Sequence, residues 1–128
     1  MKKIVQTDTA PQAIGPYSQA VKVTCSETLY VSGNIPLDPQ TMEIVGTTAA
    51  EQCKQVMQNL GEVLKAGDMG YDNVVKTTIY LIDMKDFASV NEVYASYFPD
   101  NPPARATVEV SRLPKDVQVE IDAIAVVS

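Results

Sequence analysis

The sequence predicts an α+β domain: one mixed β-sheet with two helices on a single face. Three observations carry this reading. The chain has 128 residues, the length of one domain, read as residues 1–128. Two stretches, 48–66 and 84–98, repeat their apolar residues with helical period. Six shorter stretches rich in β-branched and aromatic residues surround them, giving the order β-β-β-α-β-α-β-β.

Residues 3–6 read as a short first strand. Residues 19–25 and 28–33 alternate as strands and are joined by a tight turn near Ser26-Glu27. Over 48–66, Ala49, Cys53, Val56, Met57, Leu60, Val63 and Leu64 form one apolar stripe. Thr48 with Glu51 three residues on is a capping box, and Gly67 stands where a glycine ends a helix. Residues 74–82 read as a central strand. Asp83 is a cap for the second helix, whose Phe87, Val90, Tyr94, Tyr97 and Phe98 are apolar and which Pro99 stops. Residues 105–112 and 118–127 are the last strands, connected through Leu113-Pro114-Lys115-Asp116 as an antiparallel hairpin. Strand–helix–strand units are expected to cross over right-handedly.

Two helices cover only one side of such a sheet. Alternation sends Ala106, Val108 and Val110 toward the helices, together with Val75, Ile79, Leu81, Val119, Ile121, Ala123 and Ala125. The other face then carries Tyr30, Tyr80, Ile82, Ile124 and Val126. So apolar a face predicts a closed homo-oligomer. Arg105, Thr107 and Glu120 are expected on that same face. Arg105 and Glu120 there have two readings: a cross-strand ion pair, or a carboxylate-binding arginine beside a carboxylate that handles water.

Composition narrows the chemistry. Histidine is absent, which excludes Ser-His-Asp and Cys-His triads, His-ligated metals and a paired-histidine ribonuclease mechanism. Cys25 and Cys53 lack CxxC spacing, and two thiolates do not complete a tetrahedral metal site, so neither a metal nor a disulfide is expected. Cys53, on the helical stripe, reads as structural. The net charge of −6, with no basic stripe, argues against a nucleic-acid partner. Met1-Lys2-Lys3 is followed by no apolar h-region, and no apolar run is long enough to span a membrane; a cytoplasmic protein is expected.

Three blocks carry a family resemblance. Ala13-Ile14-Gly15-Pro16-Tyr17-Ser18-Gln19 is the first. Val31-Ser32-Gly33-Asn34-Ile35-Pro36 is the second, with Asn34 where glutamine is usual. The third runs from Pro103-Ala104-Arg105-Ala106-Thr107-Val108-Glu109-Val110 through Leu113-Pro114-Lys115-Asp116 to Val119-Glu120-Ile121-Asp122-Ala123-Ile124-Ala125. Together they resemble the signatures of the RidA/YjgF reactive-intermediate deaminase family over essentially the whole chain.

The resemblance implies a chorismate-mutase-like fold, a homotrimer, and active sites in clefts between subunits. It implies cofactor-independent hydrolysis of 2-enamino and 2-imino acids, such as 2-aminoacrylate and 2-aminocrotonate, to 2-oxo acids and ammonia. It implies catalytic roles for Arg105, Glu120 and Tyr17, and substrate contacts from Arg105, Ser32, Gly33, Thr107 and Asn91. Their chemistry is suitable. Arg105 offers a planar fork for a carboxylate, the Ser32-Gly33 backbone a close hydrogen bond, and Glu120 a group for positioning water. Tyr17 also reads as a packing tyrosine, and Asn91 as a solvated or local amide. Thr107 departs from the family's common cysteine, which removes any role that needs a thiol. Two other readings stay open: a regulatory module that binds 2-oxo acids without turnover, and an RNA-directed translation inhibitor or endoribonuclease.

Overall fold

The computed structural model describes residues 2–128. Strand β1 (Lys2–Val5) pairs antiparallel with β2 (Ala20–Val23) in a separate two-stranded ribbon. The main sheet contains β3 (Glu27–Asn34), β4 (Val74–Leu81), β5 (Ala104–Glu109) and β6 (Val119–Val127), in the order β3-β6-β4-β5. It is mixed. β6 is antiparallel to β3 and β4, and β4 is parallel to β5. Helices α1 (Ala49–Ala66) and α2 (Phe87–Ala95) contribute to a core shared with the sheet. The α+β class is therefore as the sequence predicts.

Two strand pairings differ from expectation. The strand ending at Val23 and the one beginning at Glu27 are consecutive but not partners, because β2 turns back onto β1. The last two strands do not form a hairpin either. β5 ends at Glu109, and β4 lies between it and β6. Residues 110–118 cross that gap, with a 3-10 turn at Pro114–Asp116.

α1 forms for the reasons its sequence gives. The Thr48 hydroxyl accepts from the Glu51 amide, and the Glu51 carboxylate accepts from the Thr48 amide at 3.0 Å. Cys53, Val56, Met57, Leu60 and Leu64 are completely buried, whereas Val63 is 42% exposed and lies off the stripe. Gly67 closes the helix at φ −91°, and the left-handed residue is Asp68. Glycine is needed at 67 for space: a Cβ there would stand 2.8 Å from Leu29 Cδ2. α2 is shorter than the 84–98 stretch, since Met84–Asp86 is a 3-10 turn capped by Asp83.

β4 is the central strand, with Thr77, Ile79 and Leu81 fully buried. A bulge shifts its register between Val74 and Lys76, so Val74 enters the core and Val75 is only half-buried. On the face without helices, Tyr30 is 76% and Val108 40% exposed. Tyr80, Ile82 and Ile124 are half-buried, and Val126 is buried. Among the described residues, no helix is long and apolar enough to cross a membrane.

Candidate active site

Register decides where Arg105 points. It is paired with Thr77, and side chains of paired residues share a face. Thr77 faces the helices, where its hydroxyl and that of Tyr94 are 2.7 Å apart. Arg105 therefore rises on the helix side, and Ala106 and Val108 lie on the open face. This reverses the facing that alternation predicted for β5. The position is possible for an arginine because β5 is an edge strand, and α2 meets it with Phe87, Asn91 and Tyr94 instead of a closed aliphatic wall. Burial pushes the Tyr94 hydroxyl up to about 12, so it remains a neutral phenol.

The guanidinium stands 5.2 Å from the ring centre of Tyr94, 5.4 Å from Tyr17 and 5.7 Å from Phe87. Its Nη1 donates to Asn91 Oδ1 at 2.7 Å. Asn91 is thus no free surface amide. It orients the fork. Burial lowers the Arg105 pKa from its ordinary value, with Tyr94 and Tyr17 opposing, and an arginine keeps its charge at neutral pH. Among the described residues no carboxylate lies within ion-pair distance of it; the ion pair present is the exposed Arg112–Asp116 pair. A half-buried cation framed by rings and an amide oxygen, with no carboxylate of its own chain beside it, has the chemistry to receive an anion.

The N-terminal loop completes this frame. Ser18 ties the loop to the start of β5, its amide donating to Pro103 O at 3.1 Å and its hydroxyl to Pro102 O. Gln19 braces the loop from inside: Oε1 accepts from the Thr7 amide at 2.7 Å, and Nε2 donates to Pro11 O at 2.6 Å. Tyr17 is thereby held over Arg105, and its hydroxyl accepts from the Ile14 amide at 3.3 Å. Ile14, Tyr17, Phe87, Arg105 and Thr107 line a cleft of about 210 Å³. A larger groove of about 520 Å³ holds Lys2, Lys3, Asp72 and Asp100, so its charges balance; the positive charge of the Arg105 cleft is unopposed.

Thr107, paired with Ile79, points into this cleft side of the sheet. Its Oγ1 is buried without a hydrogen-bond partner. Such a hydroxyl costs stability. Thr107→Val keeps the shape and removes the orphan, and should raise stability by about 1 kcal/mol. Calorimetry should then show Tm higher by about 4 °C. A lower Tm would show that the hydroxyl is in fact bonded.

Ser32, Gly33 and Glu120 lie elsewhere. Glu120 is paired with Tyr80 between the buried Val119 and Ile121, so it projects from the open face, beside Gly33. Arg105 and Glu120 therefore occupy opposite faces, with β4 between their strands. They form no ion pair, and the expectation that they share one face is corrected. Burial raises the Glu120 pKa, and the charge of Asp122 adds to this. Asp122 in turn accepts from the Tyr80 hydroxyl at 2.9 Å.

Several residues of the cleft were not legible as such. Phe87 and Tyr94 read as core residues, and Ser18 and Gln19 as parts of a motif without a task. The available signal was Asn91, a polar residue at i+4 from Phe87 and i−3 from Tyr94 on one helix face. Among the described residues, no three His, Cys, Asp or Glu side chains cluster as metal ligands.

Fold and cleft together define a class: a small α+β domain presenting an aromatic-framed arginine in a small open cleft. Comparison with known proteins makes this specific. The family model described as Endoribonuclease L-PSP matches residues 7–127. The chain belongs to this family, the RidA/YjgF group that its motifs resemble. It is 50% identical to mouse 2-iminobutanoate/2-iminopropanoate deaminase, over 98% of this chain and 92% of that protein. It is 54% identical to Protein DfrA of Myxococcus xanthus, over 98% and 95%. Among solved structures, RidA from an Antarctic Psychrobacter matches with TM-score 0.76 and 42% identity, covering 98% of this chain and 99% of that one. E. coli TdcF with bound serine matches with TM-score 0.76 and 40% identity, at 98% and 99% coverage.

Proposed function

We propose that this protein hydrolyses 2-imino acids and their enamine tautomers to 2-oxo acids and ammonia. The observation that carries the reading is the half-buried Arg105 guanidinium without a carboxylate partner, open to a cleft of small-metabolite size. The family's deaminase members and the amino acid bound to TdcF supply the substrate class.

In this reading the substrate carboxylate lies on the Arg105 fork, which Asn91 holds flat, and Tyr17 and Phe87 enclose its short side chain. Thr107 and the Ser32-Gly33 backbone complete the contacts. Water adds to the imine carbon as Glu120 accepts one of its protons and passes it to the nitrogen, which forms a neutral carbinolamine. Glu120 then takes the proton of the carbinol hydroxyl and delivers it to the nitrogen as the C–N bond breaks, so that 2-oxo acid and ammonia leave and the carboxylate is regenerated. No cofactor enters the balance. Because such imines hydrolyse unaided, binding and proton handling account for most of the acceleration.

Opposite faces of one chain cannot serve one ligand. The active site is therefore proposed to lie between subunits of a homotrimer, with Arg105, Tyr17, Asn91 and Thr107 from one copy and Ser32, Gly33 and Glu120 from the next. The exposed Tyr30 and Val108 on the open face support burial against another copy. The setting proposed is the cytoplasm. The test couples the protein to a threonine dehydratase and follows ketoacid release. Arg105→Ala and Glu120→Gln chains are each expected to be inactive, but their co-assembly in equal amounts should restore about a quarter of the sites. No recovery would place both residues in one chain's site.

The family description keeps a second reading in view, cleavage of RNA. The net charge of −6 and the absence of histidine weigh against it. RNA cleavage by pure protein, lost in Arg105→Ala, would favour it. Binding of 2-oxobutyrate with no rate effect would favour a sensor.

A further inference from the structure

We propose that Gly33 is a positioning residue: its missing side chain is the seat that holds the Glu120 carboxylate in place. The register of β3 against β6 slips here, Val31 pairing with Ala123 but Asn34 with Ile121, so three steps on β3 span two on β6. The bulge sets Gly33 against Glu120. A Cβ built on Gly33 would stand 1.9 Å from Glu120 Oε2, 2.8 Å from Cδ and 3.2 Å from Cγ. The whole carboxyl end therefore lies where an alanine methyl would go.

Backbone conformation does not demand glycine at this position. Among the glycines, the positive φ belongs to Gly46. Space alone opposes a side chain here, and what fills that space is the far end of one flexible glutamate, which a methyl would displace. Nothing else fixes that end: among the described residues, no donor bonds or pairs with the Glu120 carboxylate. A free glutamate side chain spreads over many rotamers. Packing on Gly33 removes those that point away from the β3 bulge, and it shields one side of the carboxylate from water. Burial as the leading cause of the raised Glu120 pKa agrees with this. The proposal rests on the reading above, in which Glu120 handles water, but the seat itself can be measured without turnover.

The experiment is a pair of substitutions with two readouts. Gly33→Ala displaces only a mobile side-chain end, so the folded trimer is expected to persist. Carbon-13 NMR of the Glu120 carboxyl, assigned with Glu120→Gln, should show its pKa falling toward the ordinary glutamate value as the group swings into water. In the coupled assay, kcat should fall about tenfold or more, while 2-oxobutyrate affinity stays within about twofold of wild type. Glu120→Asp in the Gly33→Ala background shortens the acid by one methylene and should recover part of that loss. An unchanged Glu120 titration in Gly33→Ala overturns the seat. So does an equal loss of kcat and ligand affinity, which would make Gly33 a ligand contact only. A wild-type protein with no deaminase activity but a Glu120 pKa that moves in Gly33→Ala would sink the proposed function and leave the seat standing.

Discussion

Arg105→Ala is expected to lower kcat/KM for 2-iminobutanoate by about a hundredfold or more while leaving the oligomer and Tm nearly unchanged. The two halves of this result have different origins. The ligand loses a charge-assisted, two-point contact and with it the orientation of its reactive carbon. The fold loses three ring contacts and the bond to Asn91. It is also relieved of a half-buried cation that no carboxylate of its own chain neutralises, and these effects have opposite sign. Arg105→Lys separates charge from geometry. It keeps the cation and loses the fork, so its kcat/KM should fall between wild type and alanine. Rates must be taken above the spontaneous hydrolysis of the imine, generated in place by the dehydratase. Wild-type turnover by Arg105→Ala would falsify the site.

The facing of Arg105 shows where sequence reasoning stops. α1 is legible because its signals are local: a stripe at helical spacing, Thr48 and Glu51 as a capping box, and a glycine at its end. The strand at 104–109 has no such local determinant. Its residues alternate between polar and apolar, and the rule that apolar side chains face the helices gives the wrong side. The reason lies in two distant elements. β4 fixes the register through Thr77, a polar residue that is itself buried because Tyr94 bonds to it. α2 then offers Arg105 a polar and aromatic surface. The apolar Ala106 and Val108 are left on the open face. The hairpin expectation for the last strands fails for a related reason: a short connection favours neighbouring strands, but it does not forbid a third strand between them. The motif residues themselves were legible singly. Their partition between the two faces was not, because it depends on pairings made across the chain.

Glu120→Gln should produce a combination that a structural role does not give: turnover lower by about a hundredfold or more, carboxylate affinity little changed, and stability slightly higher at neutral pH. The stability sign follows from linkage. The folded-state pKa of Glu120 is raised, first by burial and then by Asp122. In the unfolded chain the carboxyl has its ordinary value. Below that value both states are protonated and Glu120 exacts no penalty. As pH rises through it, the unfolded chain ionises first, and stability is lost until pH passes the folded pKa; the loss then persists at pH 7. Glutamine never ionises, so the variant should be the more stable protein at pH 7, and the difference should close as pH falls toward 3. Because Glu120 is half-buried and not fully enclosed, the gap is small, and paired denaturation curves at pH 3 and pH 7 are the measurement. A variant less stable than wild type at both values would show that the carboxylate holds the fold together. The expected outcome instead marks Glu120 as a group that lowers stability at working pH and is retained for its proton chemistry. In the proposed intersubunit site, Gly33 leaves room for it and the opposite face of a neighbouring copy would supply the arginine it works with.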